Sequence, residues 1–149
     1  CVVGALAVVN AFGDVVDKDS GDILAGLRDH PSGTTLVSTN AALKQGTGRA
    51  SFTHGNTTLV VIGANARLSK LGATQLARSG HDALARVIRP VHTSVDGDTI
   101  FALSTGGLNL DLEILAVVAQ EVVEIAVLRA VQFADGFGIL PAVRDLRRP

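Results

Sequence analysis

The stretch Gly55-Asn56-Thr57-Thr58-Leu59-Val60-Val61-Ile62 decides how this 149-residue chain folds. A polar segment ends at its start, and an unbroken run of apolar, mostly β-branched residues follows. β-branched side chains favour extended backbone because they pack well on a pleated surface. The stretch therefore predicts a buried strand over residues 57–63 that begins with a threonine.

That threonine is also the first candidate for chemistry. A hydroxyl can attack the carbonyl that precedes it in an N-to-O acyl shift, and Gly55 allows unusual backbone conformations just upstream. Opening of the Asn56-Thr57 bond would give Thr57 a free α-amino group, whose ordinary pKa of about 7.7 to 8.0 suits proton transfer near neutrality. The alternative is a loop that simply ends at a strand, and these few residues alone favour it.

A second candidate is Asp96-Gly97-Asp98, which leads into a strand predicted over residues 98–104. Two carboxylates separated by one residue project to the same side of an extended segment. Repulsion between them raises the pKa of one, so that one carboxyl can carry a proton while the other stays charged. The pair could activate a hydroxyl. A solvated turn or part of a metal-binding loop is the alternative.

The rest of the chain predicts further strands and helices in alternation, which suits a layered α/β domain. Strands are predicted over residues 2–10 and 15–16, and helices over residues 22–27, 69–88 and 111–134. Ser69 is the expected N-cap of the second helix. Residues 32–56 are rich in Ser, Thr, Gly and Asn and predict a mobile linker.

Apolar periodicity predicts which faces of the two long helices are buried. The residues expected to face inward are Leu71, Leu76, Leu84 and Ile88 on the first, and Leu112, Ile114, Leu115, Val118, Val122, Ile125 and Leu128 on the second. The interrupting residues Glu113, Gln120, Glu121 and Glu124 are expected on an outer stripe. Charges this frequent argue against a membrane span.

Several motifs occur together in a specific order. They are Val3-Gly4-Ala5-Leu6-Ala7-Val8-Val9-Asn10, Asn56-Thr57-Thr58, Asn65-Ala66-Arg67-Leu68, His81-Asp82-Ala83-Leu84-Ala85-Arg86, Ile88-Arg89-Pro90-Val91-His92-Thr93 and Asp96-Gly97-Asp98-Thr99-Ile100-Phe101-Ala102-Leu103. In these motifs the chain resembles the DmpA-type aminopeptidases and the related nylon-oligomer hydrolases, nearly from end to end. The resemblance implies a precursor that cleaves itself at Asn56-Thr57 and then uses Thr57 as the nucleophile for amide hydrolysis.

The resemblance also implies roles for three further residues. Asn10 matches an asparagine whose side chain faces the scissile carbonyl and stabilises its oxyanion, a task for which an amide N–H is suited. Asp96 and Asp98 match the acidic pair beside the nucleophile of the threonine-type members, whereas the serine-type β-peptide aminopeptidases use serine and glutamate there. The alternative is that Asn10 only caps or turns the chain before Gly13, since Asn is a frequent turn residue.

The fold implied by the resemblance is a layered αββα sandwich of the DmpA/ornithine-acetyltransferase type, of which this chain is about half. Residues 1–149 are expected to form a single domain or half-domain, in which 1–56 end an α-subunit portion and 57–149 form a β-subunit portion. A missing upstream segment is expected to supply a lysine near the nucleophile and much of the substrate pocket. Lys18, Lys44 and Lys70 do not match that lysine. A homo-oligomer of α/β heterodimers is expected.

The leading hypothesis is therefore an autoprocessed, aminopeptidase-like amide hydrolase that cleaves short peptides or linear amide oligomers through a threonine acyl-enzyme. No cofactor or metal is expected, because the protein itself supplies nucleophile, base and oxyanion donor. Two alternatives stay open. One is an acyltransferase related to ornithine acetyltransferase, and the other is a non-catalytic fragment or assembly module, with which the mean hydropathy of +0.37 agrees.

Composition argues against some partners. The 13 basic residues are balanced by 14 acidic ones, and Trp and Tyr are absent, so neither a basic patch nor a stacking platform for nucleic acid is expected. No membrane partner is expected either. The single cysteine permits no internal disulfide, and a cytoplasmic location is the default expectation.

Two rival chemistries are weaker. Cys1 could act as an amino-terminal thiol nucleophile, but the resemblance places it inside the precursor and not at a processing point. Four histidines, His30, His54, His81 and His92, lie in different predicted elements without the tight spacing of metal ligands. His81 and His92 are instead expected to orient the Asp96–Asp98 segment.

Overall fold

The computed structural model describes residues 1–31, 33–47 and 55–146 as a mixed α/β fold, which confirms the α/β class, while the layered sandwich stays a prediction. The strands are β1 (Val3–Asn10), β2 (Asp14–Val16), β3 (Ile23–Ala25), β4 (Thr57–Ala66), β5 (Ile88–Arg89) and β6 (Thr99–Leu108). The helices are α1 (Thr39–Lys44), α2 (Lys70–Val87), α3 (Leu112–Gln132) and α4 (Val143–Leu146).

β4 is the central strand of the main sheet, whose order is β1-β4-β6. β1 runs antiparallel to β4 and brings Asn10 opposite Thr57, whereas β6 runs parallel and brings Thr99 beside Leu59. The strand predicted to begin at Thr57 is confirmed and extends to Ala66. Burial alternates along it, so that one face of the strand is buried and the other is partly open.

α2 and α3 cover the buried face of the main sheet. The core between them and the sheet includes Val60, Ile62, Leu76, Leu84, Leu115, Val123 and Val127. Gly80 lets α2 lie directly on the sheet, because a Cβ there would come within 3.0 Å of Ile62 Cδ1 and 2.9 Å of Ile100 Cδ1. Each fully buried aliphatic side chain contributes about 1.5–3 kcal/mol to folding.

Both long helices begin where the sequence indicates. The Ser69 side chain accepts a hydrogen bond from the Gly72 N–H, which confirms Ser69 as the N-cap of α2. Asp111 accepts from the Glu113 N–H and caps α3 in the same way. Such side chains satisfy N–H groups that the first helical turn leaves free. Within the described ranges, no helix has the length and apolar character needed to cross a membrane.

The predicted inner faces are mostly right for α2 and partly wrong for α3. Leu76, Leu84 and Ile88 are buried as predicted, whereas Leu71 is 67% exposed. On α3 the buried residues are Leu115, Ala119, Val123, Glu124 and Val127, while Ile114, Val118 and Ile125 are exposed. Apolar residues occur on nearly every side of α3, so their periodicity does not select the face that packs.

The helix predicted over residues 22–27 is wrong. Ile23–Ala25 form strand β3, which pairs with β2 in a second sheet of order β3-β2-β5. Gly21 and Gly26 flank this short segment, and glycine disfavours helix. Pairing with β2 supplies backbone partners that a local reading of the sequence does not reveal.

The segment expected to be a mobile linker, residues 32–56, contains helix α1. Its first residue, Thr39, is buried, and the Thr39 N–H donates to the buried carboxylate of Asp14 at 2.7 Å. The Thr39 hydroxyl and the Leu27 N–H donate to the same carboxylate. These bonds anchor the start of α1 to the second sheet. Residues 48–54 lie outside the described residues, and mobility of the linker stays a prediction.

The second face of the main sheet is uncovered by the residues that the structure describes. Its exposed apolar residues are Leu6, Val8, Leu59, Val61, Phe101 and Leu103. We call this surface the open sheet face. Asn10 and Thr57 lie at one end of it, because both continue the exposed alternation of their strands.

Candidate active site

The peptide bond that precedes Thr57 lies at the start of β4, where hydrogen bonds hold it. The Thr57 Oγ1 hydroxyl donates to the Asn56 carbonyl oxygen at 2.7 Å, and the Gly97 N–H donates to the same oxygen at 2.7 Å. The Asn56 N–H donates to the Val95 carbonyl at 2.9 Å, within an isolated parallel bridge between Asn56 and Asp96. The scissile carbonyl of the predicted cleavage therefore carries two donors.

Asp98 lies beside β4, next to the candidate nucleophile. Its side chain is only 4% exposed, and its Oδ1 accepts from the Thr58 N–H at 2.8 Å. Its Oδ2 lies 3.0 Å from His92 Nδ1. Both carboxylate oxygens are thus bonded, which compensates for the loss of water around a buried charge.

Asp96 is bonded to the loop that precedes it and to the segment that follows β1. Its Oδ2 accepts from the Thr93 N–H at 3.0 Å and from the Thr93 hydroxyl at 2.7 Å. Its Oδ1 accepts from the Phe12 N–H at 3.2 Å. Within the described residues, neither Asp96 nor Asp98 bonds the Thr57 hydroxyl. The structure places the acidic pair next to Thr57, and the proton-transfer role of the pair stays a prediction.

Asn10 lies directly opposite Thr57 in the β1–β4 ladder. Asn10 is exposed, and its side chain makes no hydrogen bond to any residue that the structure describes. Asn10 thus lies beside Thr57, and its role as an oxyanion donor stays a prediction. In this arrangement its amide does not hold the Asn56 carbonyl.

Two histidines form a small cluster behind Asp98. The rings of His81 and His92 are in edge contact, with centroids 4.8 Å apart and planes at 61°. Burial lowers the pKa of His81, and the neighbouring His92 lowers it further. His92 is hydrogen-bonded to Asp98, in agreement with the expectation that it orients the Asp96–Asp98 segment. His54 lies outside the described residues. Among the residues described, no group of three or more His, Cys, Asp or Glu side chains is placed to hold a metal ion.

Cys1 is far from this site. It precedes β1, whereas Asn10 lies at the other end of that strand, opposite Thr57. The seven residue-to-residue steps from Val3 to Asn10 span about 23 Å. The thiol of Cys1 is exposed and cannot reach the Asn56 carbonyl in this fold.

The sequence did not single out Gly97 or Thr93 as site residues. Gly97 has no side chain to suggest a role, although its position between Asp96 and Asp98 could have marked it. A Cβ on Gly97 would come within 3.0 Å of Thr57 Oγ1, so glycine is what allows the close approach. Thr93 donates two hydrogen bonds to Asp96, and these bonds depend on the conformation of the loop.

The Thr57 hydroxyl and the Gly97 N–H both donate to the Asn56 carbonyl, and two hydrogen-bonded carboxylates lie beside them. These are the kinds of groups that nucleophilic acyl-transfer enzymes use. The chain matches the model of peptidase family S58 over residues 1–139, and it belongs to that family. The resemblance seen in the sequence motifs is thereby confirmed.

Individual relatives carry related names. Proteins named as uncharacterized aminopeptidases in Mycobacterium tuberculosis and Mycobacterium leprae are 42% and 39% identical over 113 and 111 residues, covering 71% of this chain in each case. A 6-aminohexanoate-oligomer endohydrolase of Kocuria sp. is 32% identical over 145 residues, covering 85% of this chain and 39% of that protein. The mycobacterial matches cover 32% and 29% of those proteins, so the chain spans about a third of the length of such relatives.

Proposed function

We propose that this chain is part of an autoprocessed amide hydrolase of the aminopeptidase type, with Thr57 as its nucleophile. The observation that carries the proposal is the contact of the Thr57 hydroxyl with the Asn56 carbonyl, to which the Gly97 N–H also donates. Membership of peptidase family S58 supports amide-bond chemistry at this position.

Self-cleavage proceeds by an acyl shift followed by hydrolysis. Thr57 Oγ1 gives up its proton and attacks the Asn56 carbonyl carbon, forming a C–O bond. The C–N bond then breaks, and the Thr57 nitrogen takes up a proton as it leaves. Water hydrolyses the resulting ester, so that Asn56 ends in a carboxylate and Thr57 regains its hydroxyl beside a free α-amino group. One water molecule is consumed.

Substrate turnover repeats the same chemistry on an external amide. The free α-amino group of Thr57 accepts the proton of its own hydroxyl, as in other amino-terminal threonine nucleophiles. Asp98 and Asp96 keep the surrounding backbone in place and relay protons, and the exposed Asn10 amide donates to the oxyanion of the substrate. The acyl-enzyme is then hydrolysed. These steps require no cofactor.

The substrates we propose are short peptides or linear amide oligomers. Relatives of the chain are named as aminopeptidases and as 6-aminohexanoate-oligomer endohydrolases, and both names describe amide cleavage. The end of the main sheet where Asn10 lies opposite Thr57 would stay accessible to an extended chain of this kind. A cytoplasmic location is part of the same proposal and rests on the sequence alone.

We place this site within a layered αββα sandwich, in which an upstream segment supplies a second sheet that covers the open sheet face. α2, α3 and the main sheet would form one helix layer and one sheet layer of that sandwich. The cleaved chains would then stay together as an α/β heterodimer and assemble further into a homo-oligomer.

The first test is the intact mass of the full-length natural polypeptide that contains this sequence. We expect two fragments whose masses add up to the precursor plus one water, the second fragment beginning at Thr57. The Thr57→Ala variant should stay intact, while Thr74→Ala, an exposed threonine on α2, should be cleaved normally. A folded wild-type precursor that stays whole, or cleavage that survives in Thr57→Ala, contradicts the proposal.

A further inference from the structure

We infer that the main-chain N–H of Gly97 is the oxyanion donor of the self-cleavage step. The family resemblance gives the oxyanion role to the side chain of Asn10 and none to Gly97. The inference rests on the proposed cleavage at Asn56-Thr57. It assigns a catalytic contact to a residue without a side chain.

The geometry of the Gly97 N–H matches what the reaction needs. It donates to the Asn56 oxygen at 2.7 Å, at the short end of the range for N–H···O bonds. This oxygen becomes negatively charged when Thr57 attacks the Asn56 carbon, and hydrogen bonds to an ionised acceptor are about twice as strong as neutral ones. The bond therefore strengthens as the tetrahedral intermediate forms.

The donor is fixed in place before the reaction. On one side, the Asp96 carboxylate accepts from Thr93 and Phe12, and the Asp96 N–H donates to the Thr93 carbonyl at 3.1 Å. On the other side, the Asp98 carboxylate accepts from the Thr58 N–H. Both neighbours of Gly97, Asp96 and Asp98, are thus held by hydrogen bonds. A donor that does not need to reorganise stabilises a transition state most effectively.

The absence of a side chain at position 97 serves the same purpose. A Cβ there would lie 3.0 Å from Thr57 Oγ1, inside ordinary van der Waals distance, and 3.7 Å from the Asn56 oxygen. Glycine is therefore the residue that lets its N–H approach the carbonyl without displacing the nucleophile. Asn10, in contrast, is exposed and makes no hydrogen bond within the described part of the chain.

The decisive experiment removes the Gly97 N–H alone. Translation in vitro with a suppressor tRNA that carries glycolic acid replaces this N–H with an ester oxygen in the full-length natural polypeptide. We expect self-cleavage to slow by about a hundredfold, as when one oxyanion donor is removed from a hydrolase. The matched control places glycolic acid at Gly21, whose N–H donates a 2.8 Å bond to the Asp17 carbonyl in a turn outside the site.

The outcomes separate this inference from the proposed function. A folded Gly97 ester that is cleaved within threefold of the wild-type rate overturns the inference and leaves Thr57 as the nucleophile. A comparable loss of rate in the Gly21 ester also overturns it. A wild-type polypeptide that never cleaves, although folded, overturns the proposed function and the inference together.

A second measurement covers the case in which the Gly97 ester does not fold. The Thr57→Ala precursor is labelled with ¹⁵N at Gly97 and ¹³C at the Asn56 carbonyl. A bond as short as 2.7 Å should give a measurable scalar coupling between the two labelled nuclei and slow exchange of the Gly97 amide. Absence of the coupling in the folded precursor overturns the inference.

Discussion

At the residue scale, the environment of Asp98 shows how the site is kept in order. Its buried carboxylate is bonded to the Thr58 N–H and to His92, so its orientation depends on both. His92 adopts a positive φ of 55°, which is uncommon for residues other than glycine and persists where the surroundings impose it. We interpret His92 as a positioning residue for Asp98 and His81 as the ring that packs against it.

His81 gives this cluster a predicted dependence on pH. Burial and His92 lower the pKa of His81 below its ordinary value of about 6.5, with Asp98 and Asp82 acting in the opposite direction. The unfolded chain therefore binds a proton more readily than the folded chain. The stabilising contribution is complete above pH 6.5 and is lost as the pH falls below that value towards the lowered pKa.

Urea unfolding between pH 7.5 and pH 5 measures this effect. We expect the free energy of unfolding to fall less steeply with decreasing pH in His81→Gln than in the wild type. His30→Gln is the comparison, because His30 belongs to a different part of the fold. Identical slopes for wild type and His81→Gln would show that His81 does not contribute, and an equal flattening in His30→Gln would show that the effect is not specific to the cluster.

At the element scale, α2 and α3 are joined by an ion pair that the sequence did not predict. Arg86 Nη1 lies 2.8 Å from Glu124 Oε1, and the Glu124 side chain is 6% exposed whereas that of Arg86 is 52% exposed. Glu124 was expected on the outer stripe of α3. Its burial is possible because Arg86 reaches across from α2, and a buried carboxylate without that partner would be costly.

Removal of this partner should destabilise the fold. We expect Arg86→Met to lower the free energy of unfolding by about 1–3 kcal/mol, because Glu124 would remain buried without its donor. The double variant Arg86→Met with Glu124→Leu should regain part of the loss, since no unpaired charge would remain. Arg78→Met, on an exposed position of the same helix, is the control. An equal loss in Arg78→Met would contradict this account.

Local signals in the sequence predicted the boundaries of the long elements well. Ser69 and Asp111 cap their helices through bonds to residues two or three positions away, so the information is contained in a short stretch. Strand β3 depends on pairing with β2 and was predicted as a helix. Helix α1 depends on bonds to Asp14 and was not predicted. The site divides in the same way. Motif order indicated Thr57, Asp96, Asp98 and Asn10, whereas the Gly97 contact depends on the pairing of β4 with β6.

At the scale of the whole molecule, the open sheet face is the feature that lacks an explanation within the described residues. Phe101 on β6 is 58% exposed and Leu6 on β1 is 69% exposed, in a sheet whose opposite face packs against α2 and α3. Contiguous apolar surface of this kind marks an interaction site in soluble proteins. The chain spans about a third of the length of its mycobacterial relatives, and we propose that an upstream segment covers this face.

Thiol labelling can test whether an upstream segment covers this face. In a Cys1→Ser background, single cysteines are placed at Val8 and Phe101 on the open sheet face and at Leu71, which is exposed on α2. We expect positions 8 and 101 to react roughly tenfold or more slowly with a thiol reagent in the full-length natural polypeptide than in the 149-residue chain, because buried groups react only after local opening.

Position 71 should react at similar rates in both proteins, since it lies away from the open sheet face. Equal labelling at positions 8 and 101 would contradict cover by an upstream segment. Protection that already occurs in the 149-residue chain and increases with its concentration would instead identify a second copy as the occupant. The three sites together therefore distinguish a completed sandwich from self-association, because only the former protects the sheet independently of concentration.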